Sequence, residues 1–143
     1  FTNMNDYSIL LFILIICIST DIGGFVFGKI FKGIKLTKIS PNKTYSGVLG
    51  SYIFSLLSVL IFFKITNGFF IKDIAYLSFF LVILLSTISQ IGDLTISYFK
   101  RKSNINNTGN IIPGHGGILD RIDGMIFVFP FSYVLIKLDI FIL

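Results

Sequence analysis

Acidic side chains that interrupt long apolar stretches are the clearest sign of chemistry in this sequence. All seven acids are Asp, and four of them lie within or beside apolar segments: Asp21, Asp93, Asp120 and Asp123. A charged residue at the centre of a membrane helix costs about 2.5–3.5 kcal/mol on insertion scales, so such residues usually face a polar cavity. Carboxylate oxygens suit Mg²⁺, which binds one or two of them together with phosphates. We therefore predict a metal site built from Asp93, Asp120 and Asp123.

A polar stripe runs along the third apolar segment. Its members follow each other at spacings of three and four residues, which places them on one helical face: Ser86, Gln90, Asp93, Ser97 and Lys100. A helix–helix contact held by Ser and Gln hydrogen bonds would explain Ser86 and Gln90. It would not explain a carboxylate, which needs a cation. We therefore expect Asp93 to face a functional cavity.

Asp120 and Asp123 form a pair at the start of the fourth apolar segment. Carboxylates three residues apart project from one side of a helix. Acids at a helix N-terminus are also favoured by the helix dipole, so the pair could simply stabilise the helix start. Together with Asp93 on a neighbouring segment, the pair indicates a metal site.

A glycine-rich turn precedes that helix, at residues 113–117 (Pro-Gly-His-Gly-Gly). Glycines allow close backbone approach, and a turn that runs into a helix N-terminus can cradle a phosphate group. Most such turns are only turns, and a lone His is more often structural than catalytic. The position of His115 between the glycines and the two acids favours a catalytic role. We predict phosphate contacts from Gly114, Gly116, Gly117 and His115.

The basic residues fall mainly into two loops, at 29–44 and 100–117, which two apolar segments separate. Nine of the twelve Lys and Arg residues lie in or just beyond these loops, and the positive-inside rule then places both loops in the cytoplasm. The net charge of +5 is explained by membrane topology and anionic substrates, not by nucleic acid. Lys43, with the hydroxyls of Ser40 and Thr44, is predicted to bind an anionic head group, although a basic loop can also serve orientation alone.

The elements that must position these residues are membrane-spanning helices. The chain is 54% apolar and 13% charged, whereas soluble domains carry about 25% charged residues. Spans are predicted at 7–31, 45–63, 73–91 (continuing as a helix to 100) and from 118 to the end. In lipid a helix satisfies its own backbone groups, so we predict an all-α polytopic bundle.

The first apolar segment carries two further features, a pair of glycines and the only cysteine. Gly24 and Gly28 share a helical face with Asp21, so we expect the first span to pack closely and Asp21 to face the same cavity. The only cysteine, Cys17, excludes a disulfide framework and is interpreted as an apolar filler. Since residue 1 is Phe, we expect further spans before it. Residues 1–143 are predicted to be the C-terminal catalytic part of one membrane domain.

Several blocks of the sequence closely resemble the phosphatidate cytidylyltransferase family. That signature reads Ser-x-x-Lys-Arg, four residues, Lys-Asp, and then Pro-Gly-His-Gly-Gly-x-x-Asp-Arg-x-Asp. Here its parts appear at residues 97–101 and 113–123. Residues 21–25, 40–44 and 90–94 also resemble the family, so the resemblance extends in order from about 20 to 124. The chain departs from the pattern at Asn106-Asn107, where the family has Lys-Asp, and at Tyr45-Ser46, where it usually has Trp-Glu.

The resemblance implies transfer of CMP from CTP to phosphatidic acid, giving CDP-diacylglycerol and pyrophosphate. It implies Mg²⁺ at the acidic residues, with a monovalent cation left open, and a cytoplasm-facing site in a multi-pass protein of the inner membrane. A homodimer is also left open. The residues that it implies for substrate contact or catalysis, beyond the metal ligands, are Asp21, Lys43, Ser97, Lys100, Arg101 and Arg121.

Three other interpretations compete with this one. A CDP-alcohol phosphotransferase would share the substrate chemistry, but the acidic pattern of that class is absent. A cation-coupled transporter would use intramembrane Asp residues without turning over CTP. A catalytically impaired relative is the third, because Asn106-Asn107 replaces a charged pair.

Overall fold

The computed structural model describes residues 4–36, 43–65, 75–103 and 119–138, with side chains for 7–36, 43–65, 78–103 and 122–138. Four helices account for most of these residues: α1 (Met4–Phe31), α2 (Tyr45–Ile65), α3 (Ala75–Lys102) and α4 (Leu119–Lys137). Within these ranges the only extended pairing is an isolated bridge between Lys35 and Thr44. The prediction of an all-helical fold is confirmed.

Three of the helices are long and apolar enough to cross a membrane: Tyr7–Phe31, Tyr45–Ile65 and Ser78–Lys102. They coincide with the first three predicted spans. The protein is therefore a helical membrane protein. α4 begins where the fourth span was predicted, but it has 19 residues with Pro130 inside and is not among the three. A fourth crossing stays a prediction.

α1 packs most extensively against α2, through small residues on both helices. A Cβ atom added at Gly23 would lie 2.5 Å from the carbonyl oxygen of Gly50, and one added at Gly24 would lie 2.8 Å from Ser51 Oγ. The Ser51 hydroxyl donates a hydrogen bond of 2.8 Å to the Thr20 carbonyl. Small residues that let helix backbones approach and hydroxyls that bond across the contact are typical of membrane helix pairs. The predicted close packing of the first span is confirmed.

α3 packs against α4 through two other glycines. A Cβ atom at Gly92 would lie 2.9 Å from the Phe127 ring, and one at Gly124 would lie 2.5 Å from Ser89 Oγ. Each of these glycines has an Asp as its neighbour in the chain. The close approach of the two helices therefore also brings Asp93 and Asp123 together.

The apolar core lies toward the N-terminal half of α1. Ile16 and Cys17 are fully buried there, and the Phe12 ring packs against the rings of Phe62 and Phe63. Cys17 is thus part of the apolar core, as predicted. The C-terminal half of α1 is left to line the polar end of the bundle.

Backbone hydrogen bonds hold the residues that precede α2. Leu36 N–H donates to the Lys43 carbonyl at 2.8 Å, and Tyr45 N–H donates to the Ile34 carbonyl at 3.1 Å. These contacts tie the chain after α1 to the start of α2. The backbone of Lys43 is consequently fixed beside the helix bundle.

Candidate active site

A cavity of about 610 Å³ lies between the four helices, at the end of the bundle where α1 and α3 finish and α2 and α4 begin. Polar and charged residues from every helix reach it. They are Thr20, Asp21, Lys43, Thr44, Ser51, Gln90, Asp93 and Asp123.

Three carboxyl groups line this cavity. They belong to Asp21 on α1, Asp93 on α3 and Asp123 on α4. Asp123 Oδ1 also accepts the Gly124 N–H at 2.9 Å. Carboxylates that share a partly shielded cavity repel one another, so a cation among them is favourable. The arrangement therefore fits a bound cation.

One cation is supplied by the protein itself. The Lys43 ammonium group forms an ion pair with Asp93 Oδ2, and the two side chains are 23% and 29% exposed. Ser97, one turn further along α3, donates to Asp93 Oδ1 at 3.5 Å. Asp93 thus has partners on both carboxylate oxygens.

A layer of hydroxyl groups lies beneath the charged residues. The Thr20 hydroxyl donates to the Ile16 carbonyl at 2.7 Å and lies 3.0 Å from Ser86 Oγ, which joins α1 to α3. The Gln90 amide nitrogen lies 3.4 Å from the same Ser86 oxygen. Ser86 thus makes a buried contact between helices, whereas Gln90 and Asp93 line the cavity. A functional role for Asp93 stays a prediction.

Thr44 begins α2 as its N-cap. Its Oγ1 accepts the Gly47 N–H at 3.1 Å and lies 3.0 Å from Ser46 Oγ. An N-cap of this kind satisfies one of the free N–H groups of the first turn and is typically worth about 1 kcal/mol. The Thr44 hydroxyl, which was predicted to bind an anionic head group, thus caps the N-terminus of α2. Its contact with substrate stays a prediction.

Comparison with known proteins identifies the family. The model of the Cytidylyltransferase family matches residues 2–139. The chain belongs to the Cytidylyltransferase family.

Several phosphatidate cytidylyltransferases are similar to the chain over most of its length. It is 45% identical over 138 residues to the phosphatidate cytidylyltransferase of Rickettsia prowazekii (strain Madrid E), covering 91% of the chain and 60% of that protein. It is 47% identical over 134 residues to that of Rickettsia conorii (strain ATCC VR-613 / Malish 7), covering 88% and 57%. It is 40% identical over 141 residues to that of Bacillus subtilis (strain 168), covering 95% and 51%. The chain thus spans between half and three fifths of these relatives.

The structure places the predicted site residues differently. Five line the cavity: Asp21, Lys43, Thr44, Asp93 and Asp123. Ser97 contacts one of these, whereas Lys100 and Arg101 lie in the last turn of α3.

The remaining predicted residues lie beyond what the structure describes. Asp120 and Arg121 belong to α4, but their side chains are outside the described residues. Ser40 and the glycine-rich turn with Gly114, His115, Gly116 and Gly117 are outside them altogether. Among the described side chains no group of three or more possible metal-ligating residues is assembled. The three-carboxylate metal site therefore stays a prediction, and two of its three residues, Asp93 and Asp123, line the cavity.

Several cavity residues were not predicted from the sequence, among them Thr20, Gly47 and Ser51. The signal that could have found the last two is their spacing. Gly47 and Ser51 are small residues one helical turn apart in α2, as Gly24 and Gly28 are in α1, and the two pairs pack against each other.

Proposed function

We propose that this chain carries the catalytic site of a phosphatidate cytidylyltransferase, which makes CDP-diacylglycerol from CTP and phosphatidic acid. The observation that carries the proposal is the cavity that Asp21, Asp93, Asp123 and Lys43 share inside a membrane-embedded helix bundle. Family membership and the names of the relatives support it.

The acidic residues fit Mg²⁺. Asp93 and Asp123 would hold it, with Asp120 as the further predicted ligand and a monovalent cation left open beside it. When bound, the ion would supply positive charge against phosphate oxygens, as Mg²⁺ does in other phosphoryl-transfer enzymes.

The reaction exchanges one phosphorus–oxygen bond for another. A phosphate oxygen of phosphatidic acid bonds to the α-phosphorus of CTP, and the bond from that phosphorus to the oxygen bridging to the β-phosphorus breaks. Pyrophosphate leaves with the electron pair, so the protein needs no covalent intermediate. Such transfers depend on positioning and on charge neutralisation.

Basic side chains and backbone groups of this chain would position the substrates and neutralise their charge. Lys43 is within the cavity, where its ammonium group would bind a phosphate oxygen. Lys100, Arg101 and Arg121 would neutralise the rest of the triphosphate. The predicted cradle of Gly114, Gly116 and Gly117 with His115 would position it, and Ser40, Thr44 and Ser97 would give hydroxyl contacts.

The wall of the cavity suits one soluble and one lipid substrate. Apolar side chains line it beside the charged ones, among them Phe25, Leu36, Val48 and Leu94. Phe25 is 70% exposed, so this wall includes an apolar side chain that is open to the surroundings of the bundle. A volume of about 610 Å³ falls within the range of about 300–1,000 Å³ that is usual for ligand pockets.

The cavity is proposed to face the cytoplasm from the inner membrane. The basic residues at this end of the bundle support that orientation under the positive-inside rule. A homodimer stays a prediction.

The test is release of pyrophosphate by the full-length protein, purified in detergent. Release that requires both CTP and phosphatidic acid is the expected result. Failure of release with intact, folded protein would contradict the proposal and favour an impaired relative. Cation transport by reconstituted vesicles without CTP turnover would favour a transporter.

A further inference from the structure

The position of Lys43 is unusual for a residue that only binds substrate. Its ammonium group contacts Asp93, which shares the cavity with Asp21 and Asp123. A cation is therefore already present at the carboxylates that are proposed to hold a divalent ion. The two cations would compete for the same oxygen atoms.

We infer that Lys43 is an exchangeable counter-ion, which holds Asp93 until a divalent cation binds and is then released to contact the phosphate anion. This inference rests on the proposed function. It couples the two ligands, because the metal frees the lysine that the anion needs.

The charges of the cavity support the exchange. Of the described residues that line it, three are carboxylates and one is an ammonium group. With all of them ionised, two negative charges remain, which is the charge that a divalent cation neutralises. An ammonium group that stayed on Asp93 would repel the incoming ion, because like charges a few ångströms apart repel each other more strongly in a partly shielded cavity than in water.

The anchoring of Lys43 supports it as well. Its carbonyl accepts the Leu36 N–H, and the next residue, Thr44, caps α2, so the backbone is fixed. The side chain is different, because a lysine carries its charge on a flexible four-carbon stem. The 23% exposure of the Lys43 side chain leaves it open to the cavity. The ammonium group can therefore move while the backbone stays in place.

Direct binding of Mn²⁺, measured by electron paramagnetic resonance on the full-length protein, tests the exchange without turnover. Lys43→Met removes the charge and keeps a long side chain, whereas Lys43→Arg keeps the charge. Lys64→Met is the matched control, because Lys64 lies in the last turn of α2, far from the cavity. Each protein is titrated with Mn²⁺ alone and again with inorganic pyrophosphate present.

We expect Lys43→Met to bind Mn²⁺ alone roughly tenfold more tightly than the parent, since one competing positive charge is lost. Lys43→Arg and Lys64→Met should match the parent. Pyrophosphate should tighten Mn²⁺ binding in the parent by a larger factor than in Lys43→Met, because only the parent has a lysine that the metal releases to the anion. By linkage, an anion that binds the released lysine favours metal binding to the same extent.

Equal or weaker Mn²⁺ binding by Lys43→Met, with binding by the parent intact, would overturn the exchange. It would leave the proposed function in place, with Lys43–Asp93 as a fixed ion pair. Absence of Mn²⁺ binding by the parent would contradict the exchange together with the metal site of the proposed function. Binding by the parent without CTP turnover would contradict the function alone.

Discussion

Lys43, the residue before the N-cap of α2, forms an ion pair with Asp93 in the C-terminal half of α3. The pair joins a basic loop to a carboxylate within a membrane-spanning helix. It is only partly shielded from solvent, so it is available to ligands that enter the cavity. The charges at this end of the bundle are thus arranged around Asp93.

Asp93→Asn is expected to lower cytidylyltransferase turnover by about a hundredfold or more, because it removes a charge that would hold the metal and Lys43. Turnover at saturating CTP and phosphatidic acid measures the effect, and size-exclusion chromatography checks the fold. Thr95→Ala is the control on the same helix, since the Thr95 hydroxyl bonds to the Ile91 carbonyl of its own helix at 2.7 Å and Thr95 is not among the cavity residues. Near-parent turnover by Asp93→Asn at limiting Mg²⁺ would contradict the assignment.

Gly124→Ala should force α3 and α4 apart, because the new Cβ atom would lie 2.5 Å from Ser89 Oγ. Overpacking of this kind typically costs about 1–3 kcal/mol, whereas helix propensity alone would favour Ala over Gly by about 1 kcal/mol. The sign of the change in Tm therefore separates the two effects. We expect a lower Tm and lower turnover.

The double variant Gly124→Ala with Ser89→Ala provides the control for that contact. Removal of the Ser89 hydroxyl should restore part of the lost Tm, giving a coupling of about 0.5 kcal/mol or more between the two positions. Strictly additive changes in Tm would mean that the Gly124–Ser89 contact does not set the spacing of the helices.

Gly50→Ala should destabilise the contact between α1 and α2, since its Cβ atom would collide with the Phe27 side chain. We expect a lower Tm in detergent, again by an amount typical of overpacking. Leu49→Ala is the matched control, because Leu49 is the next residue in the chain and its side chain is 64% exposed. A Tm for Gly50→Ala as high as that for Leu49→Ala would show that the interface tolerates a side chain there.

The orientation of the bundle can be tested by labelling cysteines with a thiol reagent that does not cross membranes. Lys35→Cys lies at the cavity end and Lys64→Cys at the far end of α2, both at exposed positions. In intact cells we expect labelling of Lys64→Cys alone, and of Lys35→Cys only after permeabilisation. The parent is the blank, because Cys17 is fully buried. Labelling of both variants from one side would refute the topology.

The helices could be predicted from the sequence because span length and composition leave little choice. The apolar segments at 7–31 and 45–63 match helices α1 and α2 within a few residues. The polar stripe was predictable for the same reason, since a helix fixes which residues share a face. That Asp21 and Asp93 would line a cavity followed from the cost of charge in lipid.

The partners across helices could not be predicted in this way. The pairing of Lys43 with Asp93, and of Gly124 with Ser89, depends on how each helix is rotated and how closely its neighbour approaches. The spacing of residues within one helix predicts neither its rotation against a neighbour nor the distance between the two helices. The role of Thr44 was likewise ambiguous, because a hydroxyl before a helix can cap it or bind an anion.

The central claim is tested most directly by following the label of CTP that is radioactive at its α-phosphorus. With phosphatidic acid and Mg²⁺ present, the full-length protein is predicted to move the label into the lipid phase as CDP-diacylglycerol, while Asp93→Asn leaves it in the aqueous phase. Label that stays aqueous with the folded parent protein, or that reaches the lipid equally well with Asp93→Asn, would contradict the account.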